Sequence, residues 1–300
     1  MISKTVTPPC PPQEGNSQAR LAVIGDPISH SLSPVLQNFL IEHFSLPFTY
    51  EALHVTATDL PNLVARLRNG ELAGVNVTIP HKQAIIPLLD ELVYPADRIG
   101  AANTVRVTRG KLIGHNTDAI GFQRSLEKAN IAVRNKGVLL LGAGGAAKAV
   151  TFALLEAGAL GIYLCNRNHA RAEQLRASLS SLEQERARVV PWEERAAIVQ
   201  TQTIEMVINA TSVGMLAAKS DSPLPASALR NGTAVIDLIY NPAETLFSRH
   251  AKQAGATTLN GLSMLIYQGV AGLELWSGKK LDIEELYAAL EKLMQEAMRR

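Results

Sequence analysis

Cysteine is almost absent from this chain, with Cys10 and Cys165 the only two in 300 residues. So sparse a pair builds no disulfide framework, which suits a reducing compartment, and a cytoplasmic protein is expected. The seven histidines are scattered, and no HxxxH or HExxH spacing puts two of them on one helical face. A catalytic metal is therefore not expected. An excess of one charge is also missing. The formal net charge is +2, charged residues make up 19%, and no block of like charge stands out. Neither nucleic acid nor a membrane surface is implied as a partner. No apolar run approaches the roughly 18 residues that would suggest a bilayer-spanning helix. The first 19 residues, MISKTVTPPCPPQEGNSQA, have no apolar core of a secretory signal. Pro8, Pro9, Pro11 and Pro12 remove backbone donors there, and residues 1–19 are read as a disordered tail.

What the chain does have is an apolar content of 47%, ample for cores in a length that suits two domains. Arg20–Gly25 (RLAVIG) reads as a strand entering a Gly-Asp-Pro turn. Ser33 before Pro34 predicts the N-cap and first residue of a helix running to about Phe44. Phe48–Val55 and Gly74–Ile79 read as strands, Thr58–Asn69 as a helix stopped by Gly70, and His81–Leu89 as a helix behind Pro80. Asn103–Val107 and Lys111–Gly114 predict a hairpin. A second alternating pattern starts near Arg134, with strands expected at Gly137–Leu141, Ile162–Cys165, Met206–Asn209, Ala234–Leu238 and Ala256–Leu259. Strands alternating with helices predict a parallel, doubly wound sheet. Asp118–Lys128 reads as a helix joining two domains, and the chain from Leu262 onward as helical.

The run Gly142-Ala143-Gly144-Gly145-Ala146-Ala147 follows a strand and opens a helix, and it fits the GxGxxA dinucleotide fingerprint. Gly142 permits a tight turn, Gly144 lets the backbone approach a pyrophosphate, and Ala147 keeps helix and strand close. The helix N-terminus supplies free N–H donors. At the end of the next strand an NAD site places a carboxylate for the ribose 2′-hydroxyl. Here stand Asn166, Arg167 and Asn168, then Arg171, with no acid before Glu173. A guanidinium can hold a 2′-phosphate through paired bonds, so NADP is favoured over NAD.

Four polar clusters sit beside apolar strands in the first half: Ser29–Ser33, Asn76–Lys82, Ala102–Thr104 and Asn116–Asp118. Each taken singly has a purely structural explanation, such as a helix cap or a turn. Together, GDPISHSLSP (25–34), NVTIPHK (76–82), GAANTV (100–105) and GHNTDAIGF (114–122) resemble the substrate motifs of the shikimate dehydrogenase family. GAGGAA (142–147), NRN (166–168) and NATSVGM (209–215) resemble its cofactor motifs, and GLSMLIYQ (261–268) its C-terminal return. The order is the family's, over residues 20 to about 270.

The resemblance implies an α/β protein with two domains. The N-terminal α/β substrate domain would take residues 20–117 with 262–300, the C-terminal helices returning to it. A Rossmann-type NADP domain would take 118–261. It implies that Ser31 and Ser33 bond a substrate carboxylate, and that Thr78, Asn103, Asp118 and Gln268 hold ring hydroxyls. Lys82 matches the catalytic lysine, paired with Asp118; Asn76 and Tyr240 are weaker candidates for the pocket. Thr211, Ser212, Met215, Leu238 and Gly261 match positions around the ribose and nicotinamide. The implied reaction is reversible NADPH-dependent reduction of 3-dehydroshikimate to shikimate, with a small acid as the only partner and a monomer or homodimer as the assembly. The alternatives are a quinate/shikimate dehydrogenase of broader specificity that uses NAD and a non-catalytic relative that binds the same acid. The two domains are expected to close on the substrate, and the proton route between Lys82 and Asp118 is left open.

Overall fold

The computed structural model describes residues 18–201, 203–215 and 221–299. The Pro-rich segment, Cys10 included, lies outside the described residues. The chain divides into two compact units, one running to Thr117 and resuming at Ile266, the other spanning Asp118–Leu265.

The first unit is built on β1 (Ala19–Gly25), β2 (Phe48–His54), β3 (Gly74–Val77), β4 (Glu91–Leu92), β5 (Thr104–Thr108) and β6 (Lys111–His115), in the order β2-β1-β3-β5-β6-β4. β1 runs parallel to β2 and β3, and β5 is antiparallel to β3 and β6. Ala19 pairs with Phe48, so the first strand begins inside the segment read as tail. The central strand β1 reads as a continuous apolar run because it is buried on both faces. The β5–β6 hairpin forms as expected, its loop residues Arg109 and Gly110 both at positive φ (51° and 76°), as a type I′ turn requires. The helices here are α1 (Ser33–His43), α2 (Leu60–Arg68) and the short α3 (Ala96–Ile99). α2 lays Leu60, Leu63, Val64 and Leu67 against Ala22, Ile24, Val75 and Val105 of the sheet.

Two expectations fail in this unit. Leu32, not Ser33, is the N-cap of α1, and Ser33 is already helical. The hydroxyl of Ser31 accepts the Ser33 N–H at 3.3 Å instead. Nor is His81–Leu89 a helix; residues 79–85 form turns and Ile86–Leu88 a single 3₁₀ turn. Pro87 is the reason: it has no N–H to donate and its ring would clash with the preceding turn, so no second helical turn can form.

The second unit is all parallel: β7 (Gly137–Leu141), β8 (Gly161–Cys165), β9 (Ala187–Val190), β10 (Met206–Asn209), β11 (Ala234–Asp237) and β12 (Thr257–Asn260), in the order β12-β11-β10-β7-β8-β9. This is the doubly wound sheet that the strand–helix alternation predicts. β9 was not expected; it is a four-residue edge strand interrupted by Arg188, too short for a period to show. α4 (Asp118–Lys128), α5 (Gly145–Glu156), α6 (His169–Ala177), α7 (Ser181–Glu185), α8 (Arg195–Thr201) and α9 (Leu246–Gln253) belong to it. The strand order reverses between β7 and β10, the place where ligands of such sheets bind beyond the strand C-termini.

The last two helices are α10 (Leu262–Ser277) and α11 (Tyr287–Ala297). From Ile266 on, α10 packs on the first sheet. A Cβ on Gly74 would lie 2.2 Å from the indole nitrogen of Trp276, which donates to the Val105 carbonyl at 3.1 Å. That close approach brings the α10 face carrying Gln268 to the sheet.

Candidate active site

Pairing register decides where the polar residues of the first unit emerge. Asn76 lies opposite Thr104, and Thr104 opposite His115. The C-terminal ends of β1, β3 and β6 and the N-terminal end of β5 therefore share one edge of the sheet. Thr78, Asn103, Asn116 and Thr117 all leave from that edge. Asn103 is 2% exposed; its Oδ1 accepts the Thr117 N–H at 2.7 Å, and its Nδ2 donates to the Thr117 hydroxyl at 2.9 Å and to Gln268 Oε1 at 3.3 Å. Asn116 donates to the Ala101 carbonyl at 2.9 Å. Gln268 of the C-terminal helix α10 thus reaches Asn103.

Asn76 is bonded within the protein through both ends of its amide. Tyr50 donates to its Oδ1 at 2.6 Å, and its Nδ2 donates to the Thr104 hydroxyl at 2.9 Å and the Asn103 carbonyl at 3.3 Å. Both of its amide hydrogens are spent inside the protein, as both of Asn103's are, and Asn76 thereby braces Thr104 and Asn103. Tyr50 itself is buried, which raises its pKa well above the ordinary value, against the lowering effect of its hydrogen bond with Ser33. A run of donors thus ties Tyr50 through Asn76 to Thr104.

Lys82 is half-buried and stands on a turn pinned from two sides. The neighbouring His81 is fully buried, its Nε2 lying 2.6 Å from the Val55 carbonyl, and the Lys82 carbonyl accepts the Ala102 N–H at 2.8 Å. A carbonyl only accepts, so His81 carries its proton on Nε2. Thr78 is half-buried, its N–H bonded to the Ile24 carbonyl at 2.9 Å. Asp118, 4% exposed, is the first residue of α4.

The second unit offers a turn made of backbone. Gly142 has φ +121°, and a Cβ there would lie 2.7 Å from the Ala210 carbonyl oxygen. Only glycine fits where this turn brushes the exit of β10. A Cβ on Gly144 would meet nothing within 4 Å, leaving open space beside the start of α5. Ala143 and Ala147 are buried, Gly145 and Ala146 half-buried. Open room at Gly144, a free helix N-terminus and the reversal of strand order fit a dinucleotide pyrophosphate.

Beyond β8, Asn168 caps α6 by accepting the Arg171 N–H at 3.3 Å, and Asn166 donates to the Asn168 carbonyl at 2.9 Å. Arg167 and Arg171 are exposed. Beyond β10, the Thr211 hydroxyl donates to Asn209 Oδ1 at 2.6 Å and accepts the Val213 N–H at 3.1 Å, while Ser212 and Met215 are exposed. Leu238 and Tyr240 follow β11, both half-buried, and burial raises the pKa of Tyr240. Gly261 precedes α10 and donates to the Ile239 carbonyl at 3.1 Å. Among the described residues, no group of three or more His, Cys, Asp or Glu could hold a metal ion, and no helix is long and apolar enough to cross a membrane. Cys165 is buried, its thiol pushed up to about 12 by desolvation.

Three family descriptions match along the chain: the shikimate dehydrogenase substrate binding domain at residues 23–105, shikimate / quinate 5-dehydrogenase at 124–240 and the shikimate 5′-dehydrogenase C-terminal domain at 261–291. The shikimate dehydrogenase (NADP(+)) of Desulfitobacterium hafniense is 43% identical over 270 residues, 90% of this chain and 96% of that protein. The chain belongs to the shikimate dehydrogenase family. Among solved structures, shikimate 5-dehydrogenase from Thermus thermophilus in complex with NADP(H) and shikimate superposes with a TM-score of 0.79 at 39% identity, covering 94% of this chain and 99% of that one. The Listeria monocytogenes enzyme in complex with shikimate and NAD gives a TM-score of 0.83 at 32% identity, covering 96% and 99%.

Sequence reasoning missed Tyr50 and Asp237, and it named Thr117 and Asn209 only as members of the motifs at 116–118 and 209–215, with no role of their own. Tyr50 sits in an ordinary-looking edge strand and carried no signal. Asp237 did carry one: an acid closing the apolar run AVID is out of place unless something bonds it.

Proposed function

We propose that this chain carries out the reversible NADPH-dependent reduction of 3-dehydroshikimate to shikimate in aromatic biosynthesis, with the first unit holding the substrate and the second the cofactor. Ser31 and Ser33 donate to the ring carboxylate. Thr78, Asn103, Asp118 and Gln268 hold the ring hydroxyls, with Tyr240 a further contact, and Asn76 keeps Asn103 and Thr104 in place behind them. Bound NADPH supplies the hydride that adds to the ketone carbon. Lys82 Nζ lies at the ketone oxygen, where it stabilises the developing negative charge and delivers the proton. Such acid catalysis contributes roughly 10²–10⁴-fold. Asp118 orients the Lys82 amine and accepts from a neighbouring hydroxyl. In the second unit, Gly142 to Ala147 cradle the pyrophosphate with main-chain N–H groups. Arg167 and Arg171, flanked by Asn166 and Asn168, hold the 2′-phosphate. Thr211, Ser212, Met215, Leu238 and Gly261 surround the nicotinamide end. A cytoplasmic enzyme fits this role.

The observation that carries the reading is the bond between Asn103 and Gln268, 165 positions apart in sequence, at the sheet edge that also bears Thr78. Such a convergence of amides and hydroxyls suits a small polyhydroxylated acid. The test is the loss of reduced-nicotinamide absorbance with 3-dehydroshikimate. Turnover with NADPH well above that with NADH, and with shikimate well above quinate in reverse, is expected. Strong NAD-linked quinate oxidation would replace this reading with the broader enzyme, and tight shikimate binding without turnover with a binding protein.

A further inference from the structure

One buried carboxylate of the second unit has no part in the roles above. Asp237 closes β11 and is 1% exposed. Its Oδ1 accepts from Asn209 Nδ2 at 3.0 Å and from the Ile239 N–H at 3.1 Å, and its Oδ2 accepts from the Thr245 hydroxyl at 2.6 Å. Each donor belongs to a different segment at the C-terminal edge of the sheet. Asn209 ends β10, Ile239 follows β11, and Thr245 caps α9 by accepting the Ser248 N–H at 3.1 Å. Ile239 in turn accepts from Gly261, which leads into α10.

The carboxylate fixes which way Asn209 faces. An ionised carboxylate only accepts, so Asn209 must turn its amide nitrogen to Asp237. That nitrogen also donates to the Val213 carbonyl at 3.2 Å, and Oδ1 is left to accept the Thr211 N–H at 3.1 Å and the Thr211 hydroxyl. A flipped amide would set oxygen against carboxylate and N–H against N–H. The conformation of residues 211–215 therefore depends on Asp237 through one side chain. Thr245 adds a second hold, its methyl lying 3.4 Å from the place a Cβ on Gly214 would take. Burial raises the pKa of Asp237, and the bonds from Thr245, Ile239 and Asn209 oppose that shift.

The side of the sheet matters. β8, with Asn166 to Arg171 at its end, lies on one side of β7, whereas β10 and β11 lie on the other. A dinucleotide with its pyrophosphate at the β7–α5 turn spreads its two halves to the two sides of the switch point. We propose that Asp237 is a positioning residue for the redox half of the cofactor: through Asn209 and Thr245 it holds the loop of residues 211–215 in the shape that receives the nicotinamide ribose. The inference rests on the NADP reading above and adds a residue to it.

Calorimetric titration with NADP⁺ and with adenosine 2′,5′-bisphosphate, the half-cofactor lacking nicotinamide, tests it. Asp237→Asn should weaken NADP⁺ about tenfold while the half-cofactor stays within about twofold, on the scale of one or two lost hydrogen bonds. Thr245→Val should move in the same direction by less, and Thr245→Ser, which keeps the hydroxyl and gives up only the methyl contact with Gly214, should lose less than Thr245→Val. Turnover number should fall in Asp237→Asn with the KM for shikimate unchanged. A network that merely supports the fold would weaken both ligands together, and that result, or no change in either, overturns the proposal. Should Asp237→Asn not fold, the Thr245 pair decides by the same comparison. A wild-type protein that binds neither ligand would sink the NADP reading itself, an outcome distinct from equal losses in the variants.

Discussion

The two units build their sites from different materials. In the first, the candidate ligands are side chains locked to one another: Asn103 to Thr117 and Gln268, Asn76 to Tyr50 and Thr104. In the second, the candidate pyrophosphate cradle is main chain, and its side chains matter chiefly by being absent, as at Gly142 and Gly144. A site of side chains recognises the pattern of hydroxyls on one small acid, since each amide and hydroxyl has a fixed direction. A site of backbone N–H groups reads only charge and shape, which serves a cofactor shared among many enzymes. Substitutions should therefore act by lost chemistry in the first unit and by added bulk in the second.

The largest effect should come from Lys82→Ala. Turnover should fall by roughly 10²–10⁴-fold while shikimate affinity, followed by calorimetry, stays nearly constant. A variant with near-normal turnover would remove Lys82 from the chemistry. Arg167→Ala is the exception that sharpens the comparison, since it tests a side chain in the second unit. It should raise the KM for NADPH by about 10–100-fold, the worth of a charge-assisted bond, and barely touch NADH. Equal losses for the two cofactors would dispose of the phosphate clamp.

The glycines should separate from each other. Gly142→Ala forces a side chain into φ +121° against the Ala210 carbonyl, and thermal melts should show a loss of about 1–3 kcal/mol. Gly144→Ala meets open space, so stability should hold within about 0.5 kcal/mol while NADPH binding weakens. If both variants melt alike, steric crowding is not what selects glycine in this turn. The smallest effect belongs to Tyr50→Phe, which removes a hydroxyl lying between Ser33 and Asn76. The KM for shikimate should rise by at most about tenfold, the scale of one buried hydrogen bond, and the KM for NADPH should not change. A matching rise for NADPH would mean that the two sites are not separately built.

Much of this was readable residue by residue. The apolar runs of β7, β10 and β11, and the glycines after β7, announce a doubly wound sheet because parallel central strands are buried on both faces and the turn tolerates no Cβ. The short edge strand β9 was not readable, having four residues and a charge in the middle. The segment after His81 misled because Pro80 favours a helix start while Pro87 forbids its continuation, and the second effect wins. The bonds of Asn76 to Tyr50 and Thr104 were not readable either, because nothing local in the sequence brings those partners to it.

By itself, then, the amino-acid order determined which segments become strands and helices, the glycine turn and the basic residues that follow β8, because these depend on period, local sterics and charge. Tertiary structure alone decided that Asn103 meets Gln268, that Asn76 faces inward and that Asp237 governs the loop after β10. Those outcomes depend on strand order and helix docking, which bring together groups far apart in the chain. A buried polar group must bond whatever the fold sets beside it.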